Sequence, residues 1–356
     1  MKHIILSLSA ILLFACTVGE KTKSNSMENN TNSGLQSAKG KTFGFYNVEN
    51  LFDTIDDKYT IDEAFLPSSE KEWNTKKYNK KLKDLAKVIS AFGKDFPVFL
   101  GMAEIENKTV IEDLIQKTKL KDGNYKIVHH QSPDKRGIDV GFIYRADYFK
   151  VVKEKALEVA FEDNEDFATR DILYIKGEMA GNDIVHVFLN HWSSRRSGQA
   201  ESEYKRVRAA TVLREQVDLI LAENENAKII IMGDFNDYPS NKSVFSVLRA
   251  KEDRKFKNGD LYNMAYHLDK DDKGTYNYKG DWGMLDQMII SRGIFQADTG
   301  VEIKYKDCKI LRKDWMLYTD KKYKDQKPSK TYGGPNYYGG YSDHLPILSR
   351  FEREEK

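Results

Sequence analysis

Lys228, Ile229, Ile230, Ile231, Met232, Gly233, Asp234, Phe235, Asn236, Asp237, Tyr238 and Pro239 form the stretch that decides the fold. Four consecutive apolar, mostly β-branched residues read as a strand buried on both faces, and the glycine and polar cluster behind them stop it abruptly. A carboxylate and a carboxamide therefore leave the end of a core strand together. Asp234 and Asn236 are two apart, so continued extended geometry points them to one side, and rigid strand ends are where catalytic groups are best held. A plain turn after the strand uses the same residue types, because Gly, Asp, Asn and Pro supply turn geometry. The rest of the chain weighs between the two.

Just upstream, Val207, Ala210, Leu213, Val217 and Leu221 recur at helical spacing and predict the longest helix, leading into the central strand. Tyr78, Leu82, Leu85, Ala86, Ile89 and Phe92 predict a second helix, with Gly93 as its C-cap. Thr109 and Glu112 have capping-box spacing before a third, and Ser240 would cap a short helix through Leu248. Residues 43–46, 98–100, 138–144, 184–189 and 288–290 read as strands, and Leu345, Ile347 and Leu348 close the domain. Strands and helices alternate irregularly without a fixed repeat, which predicts an α/β fold with mixed sheets. No composition break interrupts residues 42–352. The segments 253–280 and 313–340 are long, polar and rich in Tyr, Gly, Lys and Asp, the mark of surface or active-site loops.

With 356 residues, 40% of them hydrophobic, the chain can bury a large core. A net charge of only +2 excludes a whole-surface electrostatic grip on nucleic acid, so anion binding must come from a local patch. Two cysteines, Cys16 and Cys308, cannot build a disulfide framework. Residues 1–16 carry a basic start, a short apolar run and a small residue before the break, the pattern of an export signal too short to span a membrane stably. Leu13, Phe14, Ala15 and Cys16 resemble a bacterial lipobox, in which the cysteine is lipidated; an ordinary cleaved secretion signal is the alternative. Residues 17–41, rich in Ser, Asn, Thr, Gly and Lys, then read as a disordered tether. Export with a lipid at Cys16 places the folded part, residues 42–353, at the outer membrane or cell surface; cleavage without lipid would make it secreted. Cys308 is left as a packing residue.

Further polar clusters follow apolar runs, as the central one does. They are Asn47, Glu49 and Asn50; Glu104 and Glu106; Asn190, His191, Arg195 and Arg196; Asp286; and Asp343 with His344. Oxygen ligands at several strand ends are what a hard cation such as Mg²⁺ needs, with water and substrate phosphate completing its shell. Histidines beside acids supply proton transfer or charge stabilisation near neutral pH, and Arg195 and Arg196 offer bidentate phosphate contacts. Together the inventory suits metal-assisted attack of water on a phosphate ester. Each residue also has a structural alternative. Glu104 and Glu106 can be helix-start acids, His191 a satisfied core histidine, and Arg195 with Arg196 a solvated loop pair. Asp53, Asp56, Asp57, Asp62 and Glu63 read as a solvated acidic loop. Asp286 is harder to dismiss, because an unpaired carboxylate among apolar neighbours is costly.

The ordered set Asn47 with Glu49, then Glu104, His191, Asp234 with Asn236, Asp286, and Asp343 with His344 resembles the endonuclease/exonuclease/phosphatase superfamily, which includes DNase I-like nucleases and apurinic endonucleases. Asn-Val-Glu-Asn-Leu-Phe-Asp and Asn-His-Trp-Ser-Ser-Arg-Arg look closest to secreted bacterial members described as extracellular nucleases. The resemblance implies a four-layer α/β/β/α sandwich, two mixed sheets packed face to face with helices outside. It implies Mg²⁺ or Mn²⁺ held by Glu104, with Asp343 and Asn47 or Glu49 nearby. Asp286 would orient His344, Asp234 and Asn236 would position the attacking water and the phosphate, and His191 would stabilise charge on the phosphoryl oxygens. Asp139 is a candidate partner for His191, or a structural strand aspartate. The implied substrate is DNA or RNA, with Asn47, Arg195 and Arg196 contacting phosphate. Phospholipid head groups or small phosphate esters are the alternative substrates, and a surface binding module without catalysis is the alternative class. No protein partner is implied.

Overall fold

Ile229, Ile230, Ile231 and Met232 are all fully buried, but they serve two different cores. Ile230 and Met232 pack with Phe43, Phe45, Val187 and Leu189, whereas Ile229 and Ile231 pack with Ala210, Leu213 and Val217 of a helix. Side chains alternate across a strand, so a strand between two apolar layers must be apolar throughout. The computed structural model describes residues 34–161, 167–252, 257 and 259–352.

Among the described residues, thirteen strands form two large sheets. The first six-stranded sheet contains β1 (Thr42–Leu51), β2 (Phe99–Ile105), β3 (Tyr125–His129) and β4 (Asp139–Arg145), in the order Lys309–Ile310, Ile347–Arg350, β1, β2, β4, β3. The second has seven strands: β5 (Lys150–Leu157), β6 (Ile172–Met179), β7 (Asp183–His191) and β8 (Lys228–Asp234), then Asp286–Ser291, Leu261–Asn263 and Ala250–Lys251. Both sheets are mixed: β1 runs parallel to β2 and β7 to β8, while their other neighbours are antiparallel. Three separate hydrophobic clusters mark three interfaces between layers. One lies between the sheets; one joins the first sheet to α1 (Thr75–Ile89) and α2 (Lys108–Gln116); one joins the second to α3 (Gln199–Glu223). The result is the expected four-layer α/β/β/α sandwich, with Cys308 buried between the sheets.

Local signals were satisfied by other residues at several element ends. α1 stops at Ile89 with Ser90 as its C-cap, before Gly93, and α2 is capped by Asn107, whose side chain accepts from the Val110 amide, rather than by Thr109. Asn sits at the N-cap as readily as Thr, and the earlier residue captures the orphan amide. The predicted Ser240 helix is a single π turn over Lys242–Val247. Short hairpins interrupt both long polar segments. The chain docks earlier than its composition suggests: the Gln36 amide donates to the Asp147 carbonyl at 2.7 Å, Gly40 to Phe351 at 2.7 Å, and Ala38 is buried. The export segment ending at Cys16 and tether residues 17–33 lie outside the described residues, among which no helix is long and apolar enough to cross a membrane.

Gly233 shows how tightly β7 and β8 meet. A Cβ there would lie 2.3 Å from the Asn190 carbonyl oxygen, a backbone atom that cannot step aside. Gly233→Ala is expected to cost about 1–3 kcal/mol of stability. The measurement is a lower urea midpoint at unchanged slope.

Candidate active site

The alternation that builds the core also places the site. On β1, Phe43 and Phe45 face the opposite sheet and Asn47 is the next position on that face; on β7, Val187 and Leu189 lead to His191. Met232 leads likewise to Asp234, and Met288 leads back to Asp286. Each inter-sheet face is apolar until the strand ends and then turns polar. Register aligns these ends: Asp234 is directly opposite His191 on one side and Asp286 on the other.

Two bulges bring in the first sheet. Pairing shifts between Asn47 and Leu51 on β1 and between Ala103 and Ile105 on β2, where Glu49 (φ 54°), Asn50 (φ 49°) and Glu104 (φ 65°) occupy the left-handed region. Such conformations cost about 1–3 kcal/mol each outside glycine and re-aim side chains at functional sites. Glu104 is turned so that Oε2 accepts from the Asn50 amide at 2.8 Å. Asn47 Nδ2 donates to Glu104 Oε1 at 3.3 Å and to Asp234 Oδ2 at 3.1 Å, linking the two sheets. Asn236 (φ 49°) donates its amide to Asp234 Oδ1 at 2.9 Å and its Nδ2 to the Trp192 carbonyl at 3.0 Å.

His344 Nδ1 lies 2.7 Å from Asp286 Oδ2. Its amide donates to Ser342 Oγ, which donates in turn to the Asn47 carbonyl, and its ring packs 4.9 Å from that of Tyr276. Four groups are thus held near one another before substrate arrives. His344 Nε2 and His191 Nε2 each lie 3.8 Å from Asp234 Oδ2, and His191 Nε2 lies 3.9 Å from Glu104 Oε1. The two imidazoles are in opposite states. Burial acts to lower His344, but the Asp286 and Asp234 carboxylates overcome it and hold the pKa well above the usual histidine range. Burial, then the Arg170 and Arg136 guanidinium groups, holds His191 well below it. Burial, with Asp286 and Glu104 adding to it against His344, lifts Asp234 to about 6.

These groups line the floor of a cleft of about 700 Å³. Its walls include Arg136, Arg170, Arg195, Arg196, Tyr238, Tyr276 and Tyr278, while Asp286 stands behind His344. Arg195 stacks 4.5 Å over the Tyr238 ring, and Arg196 is exposed at the rim. Arg170 carries no sequence signal. It is buried, pairs with Asp134 at 2.8 Å and donates to the carbonyls of His191 and Trp192, fixing the strand end that bears His191.

Two sequence expectations are displaced. Glu49 lies away from the cleft floor: Oε2 accepts from the Thr331 amide at 2.6 Å, Oε1 from Tyr332 at 3.3 Å, and Lys81 Nζ is 3.8 Å away. Its bulge conformation turns it off the face that Asn47 occupies. Asp139 serves His129, 3.1 Å away, and the Ser132 amide, not His191. β4 pairs with β3, so His129 is its neighbour.

Among the described residues, two donor sets at this cleft could hold a cation. Asp234, Asp286 and His344 place donor atoms within 4.8 Å of one another, but Asp286 and His344 are already committed to their mutual hydrogen bond. Glu104 and Asp343 are oxygen-only. Burial, then the Glu49 and Glu104 carboxylates, lifts Asp343 to about 7, and carboxyls crowded in this way are relieved by a hard divalent ion. The second set fits such an ion.

Residues 42–353 match the model of the Endonuclease/Exonuclease/phosphatase family. No curated protein sequence matches the chain. Among solved structures, TDP2 of D. rerio complexed with single strand DNA product is similar at 14% identity and a TM-score of 0.53, covering 88% of this chain and 99% of that one. An endonuclease/exonuclease/phosphatase family protein from Bacteroides thetaiotaomicron gives 14% and 0.52 over 89% and 98%. A mannosyl-6-phosphatase from Bacteroides thetaiotaomicron gives 12% and 0.50 over 88% and 100%. At these identities the structures agree in fold alone, while the family match spans the sandwich and every candidate residue of the cleft. Enzymes of this superfamily are metal-dependent phosphoesterases. This chain belongs to the endonuclease/exonuclease/phosphatase family.

Proposed function

We propose that the protein is a divalent-metal-dependent phosphodiesterase acting on DNA or RNA, exported and held at a bacterial surface by lipid on Cys16. One observation carries the chemistry: Glu104, His191, Asp234, Asn236, Asp343 and His344 border one cleft, although they come from distant parts of the sequence. The guanidinium and tyrosine walls support a nucleic-acid substrate, since Arg pairs with phosphate and rings stack on bases. The lipobox-like Leu13 to Cys16 supports the anchor.

Glu104 and Asp343 would hold Mg²⁺ or Mn²⁺, which supplies Lewis-acid polarisation of the phosphoryl oxygens. Asp234, fixed by Asn47 and the Asn236 amide, orients the attacking water through its carboxylate. His344, held by Asp286 in one orientation, exchanges a proton through Nε2. His191 stays neutral, and its Nε2–H donates to a phosphoryl oxygen as charge develops there. Asn47, Arg195 and Arg196 contact phosphate.

The test is to incubate the purified protein with Mg²⁺ and plasmid, single-stranded DNA, RNA, phospholipid, small phosphate esters and a chromogenic diester. Cleavage of nucleic acid that EDTA abolishes is the expected result. Turnover confined to phospholipid head groups or small esters would replace the nucleic-acid assignment, and no turnover of any substrate would leave a binding module. In the producing cell, Cys16→Ser is expected to release the protein from the membrane fraction; an unchanged distribution would sink the anchor.

A further inference from the structure

A second cleft, of about 450 Å³, adjoins the catalytic one, and Asp343 and Arg196 line both. Asn50, Lys71 and Tyr332 also line it, together with the Glu49 and Glu70 carboxylates. Lys71 Nζ stands 3.8 Å over the Phe65 ring and 5.4 Å from the Tyr332 ring. Its carbonyl accepts from Lys77 Nζ at 2.8 Å and from the Tyr332 hydroxyl at 3.0 Å, so the residue is clamped in place. Among the described residues, however, the half-buried ammonium itself makes no hydrogen bond and no ion pair. The carboxylates nearby do not claim it: Glu49 is spent on the Thr331 and Tyr332 amides, and Glu70 is exposed to water. The Glu49 carboxylate acts on the ammonium only at a distance, so a partly desolvated cation is left incompletely compensated, and an anion entering the cleft would offset that cost.

We infer that Lys71 takes a second phosphate of a substrate whose scissile phosphate sits in the catalytic cleft, with Arg196 at the junction between them. The preferred substrate is then a chain of linked phosphodiesters rather than an isolated phosphate ester, an inference that rests on the phosphodiesterase function proposed above.

The full-length protein with Mg²⁺ is assayed on bis(p-nitrophenyl) phosphate, which has one phosphate, and on a dinucleotide, a tetranucleotide and an octanucleotide of thymidine. kcat/KM is expected to rise from the dinucleotide to the longer chains. In Lys71→Met, which keeps the stem over Phe65, the ratio of octanucleotide to small-diester kcat/KM is expected to fall about tenfold through KM, the loss of one charge-assisted hydrogen bond. The salt dependence of octanucleotide binding falls by about one in slope. Lys71→Arg restores both. A cleaved octanucleotide whose ratio and salt slope ignore Lys71 overturns the subsite and leaves the nuclease function standing. Hydrolysis of the small diester with no oligonucleotide cleaved at any length overturns both.

Discussion

Replacing His344 with glutamine is expected to lower kcat on the protein's phosphodiester substrate by about 10³- to 10⁴-fold, the range lost with a positioned acid–base group. Glutamine keeps a donor for Asp286, which is 0% exposed and has its other oxygen unpartnered, so the fold is spared a bare buried carboxylate. Asp286→Asn should lose nearly as much, because a neutral amide no longer gives the imidazole the raised basicity that the carboxylate does. The two replacements together should cost little more than either alone, since the pair acts as one unit. Single-turnover rates with saturating Mg²⁺ make the measurement. Wild-type rates in Asp286→Asn would mean that the 2.7 Å hydrogen bond is structural and that proton transfer runs elsewhere.

Much of this arrangement was legible in the sequence, for a definite physical reason. A strand between two apolar layers shows as an unbroken run such as Ile229 to Met232, and the alternation along it continues past the last core residue to Asp234. The same step of two leads from Phe45 to Asn47 and from Leu189 to His191. What failed to show was whatever breaks that alternation or depends on neighbours in space. Glu49 shares parity with Asn47 and would share its face on a regular strand, but the bulge turns it toward Thr331. Glu104 has the parity of neither Phe99 nor Ala103 and reaches the cleft only because its φ is 65°. Asp139 and His129 meet through the pairing of β3 with β4, which no local spacing encodes. Arg170 sits beside Asp171 between a loop and a strand, and its value to His191 appears only once its three acceptors are in place.

Arg206 leads to the second large effect, one on stability. It lies on α3 with 0% exposure, its Nε is 2.8 Å from Asp237 Oδ1, and its other nitrogens donate to Ser202 Oγ and the Gln199 carbonyl. Asp237 in turn accepts from Ser243 Oγ at 2.6 Å, and its carbonyl accepts from Gln287 Nε2 at 2.6 Å. The turn that follows Asp234 is therefore tied to α3 through one buried pair. Arg206→Met leaves the Asp237 carboxylate buried without its counter-charge and is expected to cost about 3–5 kcal/mol. That is a large share of the roughly 5–15 kcal/mol that holds a native domain. An exposed pair supplies the contrast: Lys108 and Glu112, at 3.8 Å and 61% and 52% exposed, sit in water. Lys108→Met should change stability by less than about 0.5 kcal/mol. Replacing both members of the buried pair, Arg206→Met with Asp237→Leu, should recover part of the loss, because no uncompensated charge remains. Urea unfolding of the three variants distinguishes the cases. A double variant as unstable as Arg206→Met alone would show that the cost comes from the lost contacts to Ser202 and Gln199 rather than from the orphaned charge.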